Sequence, residues 1–230
     1  MTQKSSVVVF DLDDTLFKEL DFLKSAYRQI ARLISNGEKR EDEVYQLMLD
    51  TYLSGGNAFE TVIRRYGAES WDVQMLLAIY RNHKPLISLD EDTRATLEQL
   101  KSAGVILGII SDGRKAQQMN KVLALGLDRF VDDDNIIINE DRDRMKPDER
   151  SFRQFMDKYG PNADYFYVGD NTDKDFIAPN KLGWTSICLL DNGKNIHKQS
   201  LTSDEENSPI QVNRIGEIML LLCESYRDYK

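Results

Sequence analysis

Three carboxylates follow a fully apolar run in Val7-Val8-Val9-Phe10-Asp11-Leu12-Asp13-Asp14-Thr15-Leu16. Core packing requires neither Asp11 nor Asp13, and anionic side chains crowded at one strand end repel one another unless a cation sits among them. Chemistry-capable residues follow apolar runs at three further places. These are Ser111-Asp112-Gly113 after Ile109-Ile110, Lys146-Pro147 after the Ile136 run and an Asp/Arg-rich loop, and Gly169-Asp170-Asn171-Thr172-Asp173-Lys174-Asp175 after Val168. Carboxylates suit a hard cation such as Mg²⁺, which prefers oxygen ligands. An ammonium group, a hydroxyl and backbone N–H groups suit phosphate oxygens. Together they suit phosphoryl transfer, whose transition state spreads negative charge that fixed positive groups must meet.

Such groups converge only if the chain delivers them to one edge. The Val7–Phe10 run reads as a strand buried on both faces. From Ser88 onward helix and strand alternate: a helix over 90–103, a strand over 105–110, a helix over 114–125 and a strand over 136–138. A helix over 148–159, a strand over 165–168, a helix over 173–182 and a last clear strand over 185–190 follow. This order predicts an α/β, Rossmann-like parallel sheet with helices on both faces, which puts all four segments at one sheet edge. Residues 18–83 read instead as four short helices, with Leu20, Leu23, Tyr27, Ile30 and Ile34 at helical spacing in the first. The expected division is a core of 1–17 and 88–230, and an inserted helical-bundle cap of 18–87 at the ligand end of the sheet. The polar stretch 192–209 is expected to be a mobile loop, and 215–222 a closing helix.

Thirty Lys and Arg against 39 Asp and Glu give a net charge of −9. With no dense basic cluster, nucleic-acid backbone is excluded as a partner. No apolar run approaches the roughly 20 residues that span a bilayer, so no membrane association is expected. Met1–Ser6 is short and polar before the first strand, so no signal peptide is expected. Cys188 and Cys223 make neither a disulfide framework nor a zinc site, and a reducing, cytoplasmic setting is expected.

The individual segments also have plainer readings. A lone Asp-x-Asp can be a solvated turn, and Ser111 alone can be a turn or a cap. An EF-hand reading fails because Leu16 stands where the loop needs Gly. Asp132-Asp133-Asp134 and the 140–144 run read as solvated charges, with Arg142 and Arg144 open as substrate contacts. His83 and His197 look isolated and are expected at the surface. Tyr27, Arg28, Tyr52, Asn57, Arg64 and Arg65 of the cap stay open between packing and substrate contact.

Taken together and in this order, the four segments resemble the haloacid dehalogenase-like hydrolase superfamily over 7–17 and about 88–190. The helical insertion resembles that family's cap of the first type. The resemblance implies Asp11 as a nucleophile that forms an aspartyl-phosphate, and Asp13 as the acid and base. It implies Ser111, Asp112 and Lys146 at the substrate phosphate. A Mg²⁺ site would take Asp11, Asp13 (through its carbonyl), Asp170 and Asp175, with Asp173 as the alternative to Asp175. An acid at position 13 marks the phosphatases of the superfamily and is lacking in its dehalogenases. Asp112 departs from the commoner Asn. The implied activity is magnesium-dependent phosphatase action on a small phosphorylated metabolite. A phosphomutase, or a phosphate-binding subunit without catalysis, are the alternatives.

Overall fold

The computed structural model describes residues 5–35, 40–67, 70–200 and 209–225. β1 (Ser6–Phe10) is buried along its whole length. Its alternation sends Val8 and Phe10 into one apolar cluster and Val7 and Val9 into another, so helices must cover both faces. Each fully buried Val or Phe contributes roughly 1.5–3 kcal/mol relative to exposure.

Beyond β1 the described chain runs through α1 (Glu19–Ser35), α2 (Glu41–Leu53), α3 (Ala58–Val62), a π-helical turn and α4 (Val73–Arg81). These helices bury Leu23, Tyr27, Ile30, Val44, Met48, Val62 and Leu76 in a cluster of their own. Asp90 then caps α5 (Glu91–Ser102) by accepting from the Thr93 N–H at 2.7 Å. Next come β2 (Ile106–Asp112), α6 (Lys115–Leu125), β3 (Ile136–Asn139), α7 (Arg150–Tyr159), β4 (Asp164–Gly169), α8 (Ile177–Lys181), β5 (Thr185–Leu189), β6 (Ile210–Val212) and α9 (Ile218–Ser225).

The strands form one parallel sheet in the order β3-β2-β1-β4-β5-β6. The direction of winding reverses beside β1, and open α/β sheets bind ligands at the strand C-termini of such a switch point. The four chemistry-bearing segments therefore meet at the edge where β1, β2 and β4 end.

The helix expected over 173–182 begins only at Ile177. Asp175 is taken up in a turn, with its N–H on the Asn171 carbonyl at 3.0 Å, and Pro179 falls within the first helical turn where its missing donor costs nothing. β6 was not anticipated, since three residues carry no readable periodicity. His83, expected at the surface, is buried beneath α1, within 2.7 Å of Ser25 Oγ and hydrogen-bonded to Gln29. Cys188 is a free, buried thiol, and the side chain of Cys223 lies outside the described residues.

Candidate active site

Asp11 continues the ladder at the end of β1, its N–H donating to the Val168 carbonyl at 2.8 Å. Its carboxylate is paired with Lys146, whose side chain is fully buried. Lys146 Nζ also reaches Tyr167 Oη at 3.0 Å and lies 2.9 Å from Asp175 Oδ1. Asp11, Asp170 and Asp175, all buried, each offer an oxygen atom, and these atoms lie within 4.8 Å of one another. Such an all-oxygen donor set fits a hard divalent cation.

Asp175 is fully buried and accepts from the N–H groups of Asp170 (3.3 Å) and Asn171 (3.0 Å), whereas Asp173 is exposed and outside the cluster. This close turn depends on Gly169, because a Cβ there would sit 2.5 Å from Asp175 Oδ2.

Asp13 accepts from Lys121 Nζ (2.7 Å) and from the Gln118 side-chain amide (2.8 Å). Ser111, 1% exposed, takes a hydrogen bond from the same amide at 2.7 Å. Asp112 accepts from Asn139 Nδ2 (3.1 Å), the Lys146 N–H (3.1 Å) and Lys174 Nζ (2.9 Å). Its carboxylate has no proton to donate to a phosphate oxygen. It holds the backbone of Lys146 and the ammonium group of Lys174, and both Asp112 and Lys174 line the cavity over the site.

Burial drives the electrostatics. It lifts the Asp11 carboxyl from 3.8 to about 7, against the pull of Lys146 and with the push of Asp175. It lifts Asp170 to about 8, with Asp11 and Asp175 adding to the rise. Lys146 is disfavoured as a cation by its burial, but Asp11 and Asp175 outweigh that and raise it well above its ordinary value. Burial also tends to raise Asp112, yet Lys146 and Lys174 hold it below the usual carboxylate range. The cluster thus holds more acidic groups than its lysine neutralises, an excess that a bound cation would relieve.

The cavity over these groups has a volume of about 150 Å³ and is lined by Asp11, Asp13, Asp14, Glu19, Asp112 and Asp170, with Asn171, Lys174 and His197. Several of these carried no expected role. Asp14 sits at φ +57°, a left-handed conformation that Asp tolerates better than most residues. Its two oxygens accept from the N–H groups of Glu19 (3.0 Å) and Ile196 (2.8 Å). Asp14 thereby ties the entry of α1 to the segment after β5.

The stretch 192–209 was expected to be mobile, but within it Asn195, Ile196 and Gln199 tie 192–200 to the site. Asn195 Nδ2 donates to Asp170 Oδ2 at 2.9 Å, and Gln199 Nε2 donates to the Asp170 carbonyl at 2.8 Å. It also places His197, exposed on one side as expected, at the cavity rather than in isolation. The remainder, 201–208, lies outside the described residues. Arg142 and Arg144 are exposed and do not line the cavity. Tyr27 packs among the helices of the insertion, 6.2 Å ring to ring from Tyr52. Arg64 and Arg65 are exposed, and Arg28 pairs with Asp42 on another face. Gln118 and Lys121 left one legible trace: they share the stripe of Val122 and Leu125 on α6, where polar residues are out of place.

The family model for haloacid dehalogenase-like hydrolases matches residues 8–189. A glyceraldehyde 3-phosphate phosphatase from Methanocaldococcus jannaschii is 28% identical over 96% of this chain and 98% of its own length. One from Methanopyrus kandleri is 25% identical over the same shares. Among solved structures, a HAD phosphatase from Thermococcus onnurineus superposes with a TM-score of 0.57 at 22% identity, covering 94% of this chain and 97% of its own. A HAD-superfamily hydrolase from Geobacter sulfurreducens does so with a TM-score of 0.57 at 16% identity, covering 95% and 96%.

Proposed function

Because this chain belongs to the haloacid dehalogenase-like hydrolase family, we propose that its acid-lined cavity hydrolyses a small phosphomonoester through an aspartyl-phosphate on Asp11. The observation that carries the reading is the convergence of Asp11, Asp170 and Asp175 around Lys146, with Asp13 beside them. Magnesium is the cation that suits these oxygens; the side chains of Asp11, Asp170 and Asp175 would hold it, with the carbonyl of Asp13 as the further ligand the family resemblance implies. When bound it neutralises carboxylate and phosphate charge. An Asp11 oxygen attacks phosphorus, the bond from phosphorus to the substrate oxygen breaks, and Asp13 gives that oxygen its proton. Asp13, now a carboxylate, takes a proton from water as the water attacks the acyl-phosphate, which releases inorganic phosphate and restores Asp11. Lys146 and the Ser111 hydroxyl hold phosphate oxygens throughout. Helices α1–α4, within 18–87, act as a cap that excludes bulk water.

The cavity bounds the substrate. A volume of about 150 Å³ suits a few-carbon phosphoester. The cations placed around it, Lys121, Lys146 and Lys174, are already paired with Asp13, Asp11 and Asp112. Among the described residues that line the cavity, a second anionic group on the substrate therefore meets Glu19 and Asp14, beside His197, rather than an unpaired lysine or arginine. This favours an uncharged leaving group, as in the triose phosphate named for the relatives. No helix among the described residues is long and apolar enough to cross a membrane, and the free buried thiol fits a reducing cytoplasm. The deciding experiment is a phosphatase screen with magnesium or with chelator, over glyceraldehyde 3-phosphate, phosphoglycolate, phosphoserine and nucleotides. Chelator-sensitive release of one phosphate per substrate, best with the triose phosphate, is expected. Transfer of phosphate to a second hydroxyl without release would instead make the chain a mutase.

The raised carboxyls also set a pH signature. An unfolded Asp releases its proton near pH 4, whereas folded Asp11 and Asp170 keep theirs to about 7 and 8. Between those limits the metal-free fold binds more protons than the unfolded chain, so its stability falls as pH rises. Magnesium selects the ionised carboxylates, so its stabilisation grows across the same window. Thermal unfolding should show a larger magnesium-induced rise in Tm at about pH 8 than at about pH 5.5. An equal rise at both would contradict this account.

A further inference from the structure

α6 packs Val122 and Leu125 into the core, and the same stripe carries Gln118 and Lys121, 3% and 1% exposed. An ammonium group is not buried without reason, and here the reason is Asp13, 2.7 Å from Lys121 Nζ. Phe22, at the start of the inserted helices, covers the ammonium at 4.7 Å from its ring centroid, which is cation–π distance. Gln118 Nε2 reaches the other Asp13 oxygen (2.8 Å), Ser111 Oγ (2.7 Å) and, more weakly, the Asp112 carbonyl (3.2 Å). The amide must turn its NH₂ this way, because its carbonyl would oppose the carboxylate.

We infer that Gln118 and Lys121 are positioning residues: they hold the Asp13 carboxyl group for proton delivery and aim the Ser111 hydroxyl as a donor. The inference rests on the phosphatase reading. As Asp13 passes its proton to the departing oxygen, negative charge develops on its carboxyl group. Lys121 already stands against that charge and needs no reorganisation. Ser111, accepting from Gln118, keeps its own hydrogen for a phosphate oxygen. Neither residue contacts the reacting atoms, so both act through Asp13 and Ser111.

The test exploits leaving groups. A nitrophenolate departs without a proton, whereas an alkoxide needs one, and kcat/KM reports the steps up to phosphoenzyme formation. Lys121→Met, which keeps the buried stem, should lower kcat/KM on an alkyl phosphate such as glyceraldehyde 3-phosphate about 10²-fold or more. On 4-nitrophenyl phosphate the loss should be at most about a tenth of that. Gln118→Met should show the same asymmetry and, through Ser111, an added loss common to both substrates. Lys121→Arg should recover part of the alkyl activity. An equal fractional loss on the two substrates, or no loss, would overturn the inference. If Lys121→Met does not fold, the Gln118→Met ratio decides alone. A wild-type chain that cleaves neither substrate overturns the phosphatase reading instead.

Discussion

Asp11→Asn is expected to lower turnover of any phosphomonoester the chain cleaves by at least about 10⁴-fold, the scale on which loss of a nucleophile is felt. An amide at position 11 keeps the shape but not the lone-pair reactivity or the charge, so no acyl-phosphate forms. The fold should not suffer. Asp11 already holds its proton to about 7 without a cation, because burial and Asp175 outweigh Lys146. A neutral Asn relieves that strain, so the metal-free variant should melt at or above the wild-type temperature at about pH 8. Steady-state kinetics and thermal unfolding together check this. Retained turnover with an intact fold would remove Asp11 as nucleophile, whatever the family resemblance implies.

Lys146→Met should cost both activity and stability. The Lys146 side chain is fully buried and faces Asp11, Asp175 and the Tyr167 hydroxyl. Removing one member of a buried ion cluster leaves uncompensated charge, at roughly 3–5 kcal/mol. The metal-free variant should therefore lose most of its margin above neutral pH, where Asp11 ionises, and less in mild acid, where Asp11 is protonated. Magnesium should restore part of the stability, since it carries positive charge to the same oxygens. Activity should remain at least about 10²–10³-fold down with saturating metal, because the donor aimed at the phosphate is gone. Urea unfolding at two pH values, with and without magnesium, separates the two losses. A variant as stable as wild type at every pH would mean that the acids do not depend on this ammonium group.

Much of this site was legible in the chain because each piece is local. The valine run of β1 announces two-sided burial within a few residues, and the acids just past it have no packing reason to be there. Ser111, Lys146 and Asp170 could be singled out for the same reason, each following an apolar stretch. The second acid after Asp170 was not decided by spacing. Asp173 stands three residues on and Asp175 five, and only the backbone turn, closed through the absence of a Cβ at Gly169, carries Asp175 inward.

Other partners could not be read because they act across the chain. Lys121 and Asp13 stand 108 positions apart, and Ile196 and Asp14 stand 182 apart. A lysine on an amphipathic helix ordinarily reads as a surface residue whose stem covers apolar area. Nothing local says that an acid from the end of β1 waits beneath it. Likewise the polar composition of 192–209 suggested mobility, because composition reports a segment's own burial and not the carboxylates that lie within reach of its N–H groups.

By itself, then, the sequence determined the alternation of elements and the residue types at each strand end, since those follow from periodicity and from side-chain chemistry that neighbours in the chain already express. The tertiary structure decided which strand lies beside which, which acid turns toward Lys146, and which residues hold Asp13. Those choices rest on burial and on distances through space, where charge and desolvation act with full force between groups that the chain keeps far apart.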